Sequence, residues 1–131
     1  MVRCQDMEPS MKILFSGRFD PPHPGHIASI LRLEKKGHVT VVVLDYSDRE
    51  YPIEYVKTVF NEIFERHGVE IITNSVHFGK VDVDELKNFG CDVYAGGNLT
   101  VLRHIEQLGH PVMFCDRAFE YSSRNIKRVL D

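Results

Sequence analysis

The hydrophobic positions of the chain fall into two alternating patterns. Short, nearly continuous apolar runs occur at Lys12-Ile13-Leu14-Phe15-Ser16, Val39-Thr40-Val41-Val42-Val43-Leu44, Val69-Glu70-Ile71-Ile72-Thr73, Asp92-Val93-Tyr94-Ala95 and Pro111-Val112-Met113-Phe114-Cys115. Runs of this length, rich in β-branched residues, read as buried strands. Between them the apolar residues recur at helical spacing: Ile27, Ile30, Leu31 and Leu33; then Ile53, Val56, Phe60, Ile63, Phe64 and His67; then Val81, Leu86 and Phe89; then Leu99, Leu102, Ile105 and Leu108. Glycines at Gly37, Gly68, Gly90 and Gly109 close these stripes, as helix C-terminal signals do. A last stripe holds Ile126, Val129 and Leu130.

Near-continuous strands between amphipathic helices predict a parallel sheet covered on both faces. Right-handed crossovers restrict it to an α/β, Rossmann-like, doubly wound five-stranded sheet of order 3-2-1-4-5. In such a sheet ligands bind at the carboxyl ends of the strands where the winding reverses, here between strands 1 and 4. Those ends run into Gly17-Arg18-Phe19-Asp20-Pro21-Pro22-His23-Pro24-Gly25-His26 and Gly96-Gly97-Asn98, so two glycine-bearing loops converge on one crevice. Residues 1–10 show no periodicity and read as a disordered leader, with 11–131 a single domain.

Composition narrows the class of partner. The chain has 131 residues, 43% hydrophobic and 27% charged, with a net charge of −3. Those values suit a soluble domain with one core and argue against nucleic acid or an anionic membrane as the main partner. No apolar run spans a bilayer and no signal-peptide core opens the chain. Cys4, Cys91 and Cys115 are odd in number and far apart, which reads as reduced thiols in a cytoplasmic protein.

The turn after strand 1 carries the chemistry. Pro24 suits the first helical turn, and Gly17 and Gly25 leave room for close approach to the backbone. The first helical N–H groups lack internal partners, and the helix dipole favours negative charge there. His23 and His26, three apart, lie on one face of that turn and are able to donate to phosphate oxygens. Spacing alone leaves this reading level with two surface histidines in a polar loop. A zinc pair with Asp20 is disfavoured, because no nearby Cys or His completes four ligands.

The residues Gly17, Phe19, Asp20, His23, Gly25 and His26 resemble the Gly-x-Phe-Asp-x-x-His-x-Gly-His signature of the cytidylyltransferase-like nucleotidyltransferases. The resemblance implies that the two histidines contact the phosphates of a nucleoside triphosphate. A second run, Arg117 to Lys127, reads on its own as a serine-capped basic helix. It is similar to the Ile-Ser-Ser-Thr-x-Ile-Arg motif of the same family: Ser122, Ser123 and Ile126 match, and Lys127 takes the basic position. Tyr121 and Arg124 replace the usual Ile and Thr. Arg117 matches an arginine that precedes this motif in glycerol-3-phosphate cytidylyltransferases, the closest branch by this resemblance.

The resemblance thus implies transfer of a nucleoside monophosphate, CMP from CTP by first choice and AMP from ATP by second, to a phosphate-bearing small molecule. His23, His26 and Lys127 are the expected catalytic residues. Gly17, Arg18, Phe19, Asp20, Gly25, Gly96, Gly97, Asn98, Arg117, Tyr121, Ser122, Ser123 and Arg124 are expected to bind the nucleotide. Mg²⁺ is expected to enter with the triphosphate, held by phosphates and water and, at most, Asp20. A homodimer is the expected assembly. In the strand 2 loop, Arg49 stands where the family carries a lysine, and Lys57 near the place of a helix arginine. These departures motivate a different-class alternative, a nucleotide-binding regulatory or scaffold protein without turnover.

Overall fold

A computed structural model describes residues 11–115. The expected readings of 1–10, Arg117, Tyr121, Ser122, Ser123, Arg124, Lys127 and the last stripe lie outside the described residues. Within them the chain runs β1 (Lys12–Gly17), α1 (Pro24–Glu34), β2 (His38–Leu44), α2 (Ile53–Ile63), β3 (Glu70–Asn74), α3 (Val83–Lys87), β4 (Val93–Gly96), α4 (Leu99–Gln107) and β5 (Val112–Phe114). The five strands form one sheet in the order β3-β2-β1-β4-β5, and every pair is parallel. This is the expected doubly wound arrangement, with β1 at its centre.

Strand residues alternate between two cores, as the pleat requires. Ile13, Phe15, Val39, Val41, Val43 and Ala95 pack under α1 and α2, against Ile30, Leu33, Val56 and Phe60. Leu14, Val42, Leu44 and Tyr94 face the other way, toward Leu86 of α3 and Leu102 and Ile105 of α4. Both faces of the central strands are therefore dry, which is why their sequences read as unbroken apolar runs.

Some expected core positions face outward. Leu31 lies about 100° around the helix axis from Ile30 and is exposed, as are Ile63 at the end of α2 and Leu99 at the start of α4. Phe114 is also exposed, on the short edge strand β5. Helical periodicity fixes the direction of a stripe but not how far a helix overhangs the sheet. Cys91 and Cys115 are half-buried and free, and burial pushes the Cys91 thiol up to about 11. No helix among the described residues is long and apolar enough to cross a membrane.

Candidate functional site

The carboxyl ends of β1, β2 and β4 open onto a crevice of about 940 Å³. It sits where the winding reverses, with α1 leaving β1 toward one face and α4 leaving β4 toward the other. Gly17, Arg18, Phe19, Asp20, His23, Gly25, His26, Gly96, Gly97 and Asn98 all line it. The two loops that sequence spacing placed together thus share one cavity.

The histidine pair is built by the first turn of α1. His23 is the N-cap, in extended conformation, and Pro24 follows at the first helical position. The Gly25 N–H donates to His23 Nδ1 at 3.1 Å, and the His23 N–H donates to His26 Nδ1 at 3.2 Å. This is a reciprocal cap in which imidazole nitrogens take the parts usually played by Ser and Glu oxygens. The two rings lie nearly parallel, centroids 3.9 Å apart. Because each Nδ1 accepts a backbone hydrogen, each neutral ring carries its proton on Nε2.

That arrangement revises one expectation. The sequence suggested that unpaired N–H groups of the first turn would meet an anion. Pro24 has none, Gly25 donates to the His23 ring, and His26 and Ile27 donate to the His23 carbonyl at 2.9 and 3.3 Å. The amide hydrogens of the turn are therefore taken up within it, and what it brings to an anion is its imidazoles and the helix dipole rather than bare amides.

Phe19 supports the pair from below. It is only 2% exposed and sits at φ 49°, in the left-handed region, although it is not glycine. Its ring meets His26 edge-on at 4.7 Å and Phe60 edge-on at 4.9 Å, with Phe15 at 5.9 Å. Gly17 makes room for this ring: a Cβ there would lie 2.9 Å from Phe19 Cζ. The ring is wedged on its other sides and has nowhere to retreat. Gly17→Ala is therefore expected to destabilise the fold by about 1–3 kcal/mol, read as a lowered urea midpoint at unchanged m-value. An unchanged midpoint would show that the ring is looser than this packing implies.

Asp20 faces the loop after β2. Its Oδ2 accepts from the Glu50 N–H at 2.8 Å and its Oδ1 from the Tyr51 N–H at 2.6 Å. The Glu50 bond is the chief reason its carboxyl is held below the usual range, with the Tyr51 bond and the Arg49 charge adding and burial opposing. Both oxygens of Asp20 thus hold the loop. No cluster of three or more potential ligands for a metal ion occurs among the described residues.

Other residues at the crevice also have local partners. Asn98 Oδ1 caps α4 through the Thr100 and Val101 N–H groups at 3.0 and 3.4 Å. Arg49 lines the crevice while its guanidinium donates to the Arg18 and Leu44 carbonyls, and Lys57 is not among the residues lining the crevice. Arg18 reaches over the Tyr46 ring, 5.5 Å from its centroid, and pairs with Asp48 at 2.9 Å.

Sequence reasoning gave no site role to Ser16, Tyr94 or His77. The Ser16 and Tyr94 hydroxyls bond to each other on the crevice floor. Burial pushes the Tyr94 phenol up to about 12, so it stays neutral. Tyr46 lines the wall beside His77. Three further histidines are satisfied elsewhere: His67 on Glu34, His104 on the Val81 carbonyl, His110 on the Pro111 and Cys91 carbonyls.

The fold and crevice define a nucleotide-binding α/β domain of the doubly wound class. The chain belongs to the cytidylyltransferase-like family, whose model matches residues 14–109. A solved structure from Vibrio parahaemolyticus, described as a nicotinate-nucleotide adenylyltransferase, is similar over 92% of this chain and 86% of its own, with a TM-score of 0.60 and 20% identity. At that identity the likeness speaks for the fold. No curated protein matches the sequence. Family membership supports nucleotidyl transfer as the class of chemistry.

Proposed function

We propose that this protein transfers a nucleoside monophosphate, CMP from CTP, to a phosphate-bearing small molecule. A phosphate oxygen of the acceptor attacks the α-phosphorus, the bond to the bridging oxygen of the β-phosphate breaks, and pyrophosphate leaves in line. Such transfer needs positioning and charge neutralisation more than covalent help. The observation that carries the reading is the mutually capped imidazole pair at the mouth of α1. It presents Nε2 donors, with the positive end of the helix behind them, in the switch-point crevice.

In this reading His23 and His26 stabilise negative charge that grows on the α-phosphate and the leaving group. Gly17, Phe19 and Asp20 shape the turn that aims them, and Arg18, over the Tyr46 ring, serves the nucleotide. Arg117, Tyr121, Ser122, Ser123, Arg124 and Lys127, by the resemblance of their run, serve the pyrophosphate end. Mg²⁺ travels with the triphosphate and neutralises its charge, held by phosphates and water and, at most, Asp20.

ATP is the second reading. The adenylyltransferase description of the Vibrio protein favours it, as does the Pro21-Pro22 pair, which resembles that of adenylyltransferases that make dinucleotides. The deciding experiment is a pyrophosphate-release assay crossing CTP, ATP, GTP and UTP with glycerol 3-phosphate, nicotinate mononucleotide and other phosphorylated acceptors. Release with CTP and at least one acceptor is the expected result. Release with ATP alone selects the second reading. Triphosphate binding without release for every pair would contradict transfer and favour a regulatory or scaffold protein.

A further inference from the structure

The motif turn rests on a guanidinium in the crevice wall to which the proposed transfer assigns no role. The Arg49 side chain is only 5% exposed. Its Nη1 donates to the carbonyls of Arg18 and Leu44, both at 2.7 Å, its Nη2 to the Phe19 carbonyl at 3.3 Å, and its Nε to the Tyr51 carbonyl at 2.9 Å. The Asp20 carboxylate lies 4.0 Å from Nη2. A guanidinium offers five N–H donors in a planar fork, and here four acceptors are main-chain carbonyls. They belong to the end of β2, the motif turn and the end of the loop that leads into α2.

Two of those carbonyls flank the backbone unit that most needs holding. A non-glycine residue at φ 49° sits in a sparsely populated region and persists where its surroundings over-determine it. Phe19 is held there by its ring in the core and by the fork on the carbonyls of Arg18 and of Phe19 itself. The same ring is the edge-on support of His26, which in turn accepts from the His23 N–H.

We propose that Arg49 is a positioning residue for the imidazole pair: it locks the Arg18–Phe19 backbone, aims His26 through the Phe19 ring, and touches no substrate. This rests on the reading that the pair meets phosphate. It makes arginine, rather than the lysine common at this place in the family, a requirement of this chain. A lysine ammonium is a compact point charge and does not reproduce a planar fork over several carbonyls.

The test has two arms. In the first, Arg49→Lys is expected to lower kcat by ~10–100-fold while the acceptor KM stays within about twofold. Imidazole ¹⁵N spectra should move His26 from a single Nε2–H tautomer to a mixture. A raised acceptor KM with kcat retained, or an unchanged His26 tautomer, would overturn the proposal. The second arm uses the wild-type protein and so does not depend on the variant folding. The Arg49 guanidinium protons should resist solvent exchange, and their resonances should stay in place when inorganic pyrophosphate or glycerol 3-phosphate is added. Movement of those resonances while His23 and His26 stay still would make Arg49 a substrate ligand and end the proposal. If no nucleotide pair releases pyrophosphate, the tautomer and exchange readouts still decide the role of Arg49.

Discussion

Replacing His26 with alanine is expected to lower turnover by at least ~100-fold, the scale seen when one preorganised donor to a developing oxyanion is removed. The same change removes an acceptor from the α1 cap, where His26 Nδ1 takes the His23 N–H at 3.2 Å. Losing such a cap costs about 1 kcal/mol, so a loss of activity alone would leave open which role had failed. His26→Glu separates the two. A glutamate at this third helical position completes an ordinary capping box, and its charge suits the helix N-terminus. Stability should stay within about 1 kcal/mol of wild type, yet the imidazole donor is gone and a carboxylate now faces the triphosphate. Turnover should fall at least as far as in His26→Ala. Urea melts alongside pyrophosphate release read both quantities. A His26→Glu protein retaining most of its activity would show that the ring only caps the helix.

The largest stability effect is expected at Phe19. The ring is almost fully buried and meets Phe15, Phe60 and His26. Truncation to alanine should cost about 3–5 kcal/mol, the usual range for a buried aromatic. That is a large share of the 5–15 kcal/mol by which a domain of ordinary stability is held. Alanine keeps a Cβ and so inherits the left-handed backbone without the packing that enforces it. Phe19→Leu fills more of the space and should recover most of the stability. It lacks the aromatic edge that supports His26, so its turnover should remain well below wild type. Full activity in Phe19→Leu would show that bulk alone positions the pair.

How far the sequence reveals these features depends on the range of the interactions that make them. Strands β1, β2 and β4 are legible because burial on both faces leaves few polar positions in Leu14-Phe15, Val41-Val42-Val43 and Tyr94-Ala95. Their order follows from the strand–helix alternation and the handedness of crossovers. The convergence of Gly17–His26 with Gly96-Gly97-Asn98 follows from that order in turn. Motif spacing places His23 and His26 on one turn, but it does not show that their Nδ1 atoms satisfy the turn's own N–H groups. Nothing local marks Arg49 as a clasp, because its acceptors on Arg18 and Phe19 lie 31 and 30 residues away. The Ser16–Tyr94 bond is hidden for the same reason, at a separation of 78 residues. Periodicity also overstated the core at Leu31, Ile63 and Leu99, since a repeat carries no information about where a helix leaves the sheet.

The imidazole pair as a phosphate site is the claim on which the functional account depends. A crystal structure of the protein with magnesium and CTP, or ATP if that proves the substrate, tests it directly. The account predicts triphosphate oxygens within about 3 Å of Nε2 of both His23 and His26, with the nucleoside lying across the ends of β1 and β4. A triphosphate seated elsewhere, with the two rings still stacked against water, would contradict it.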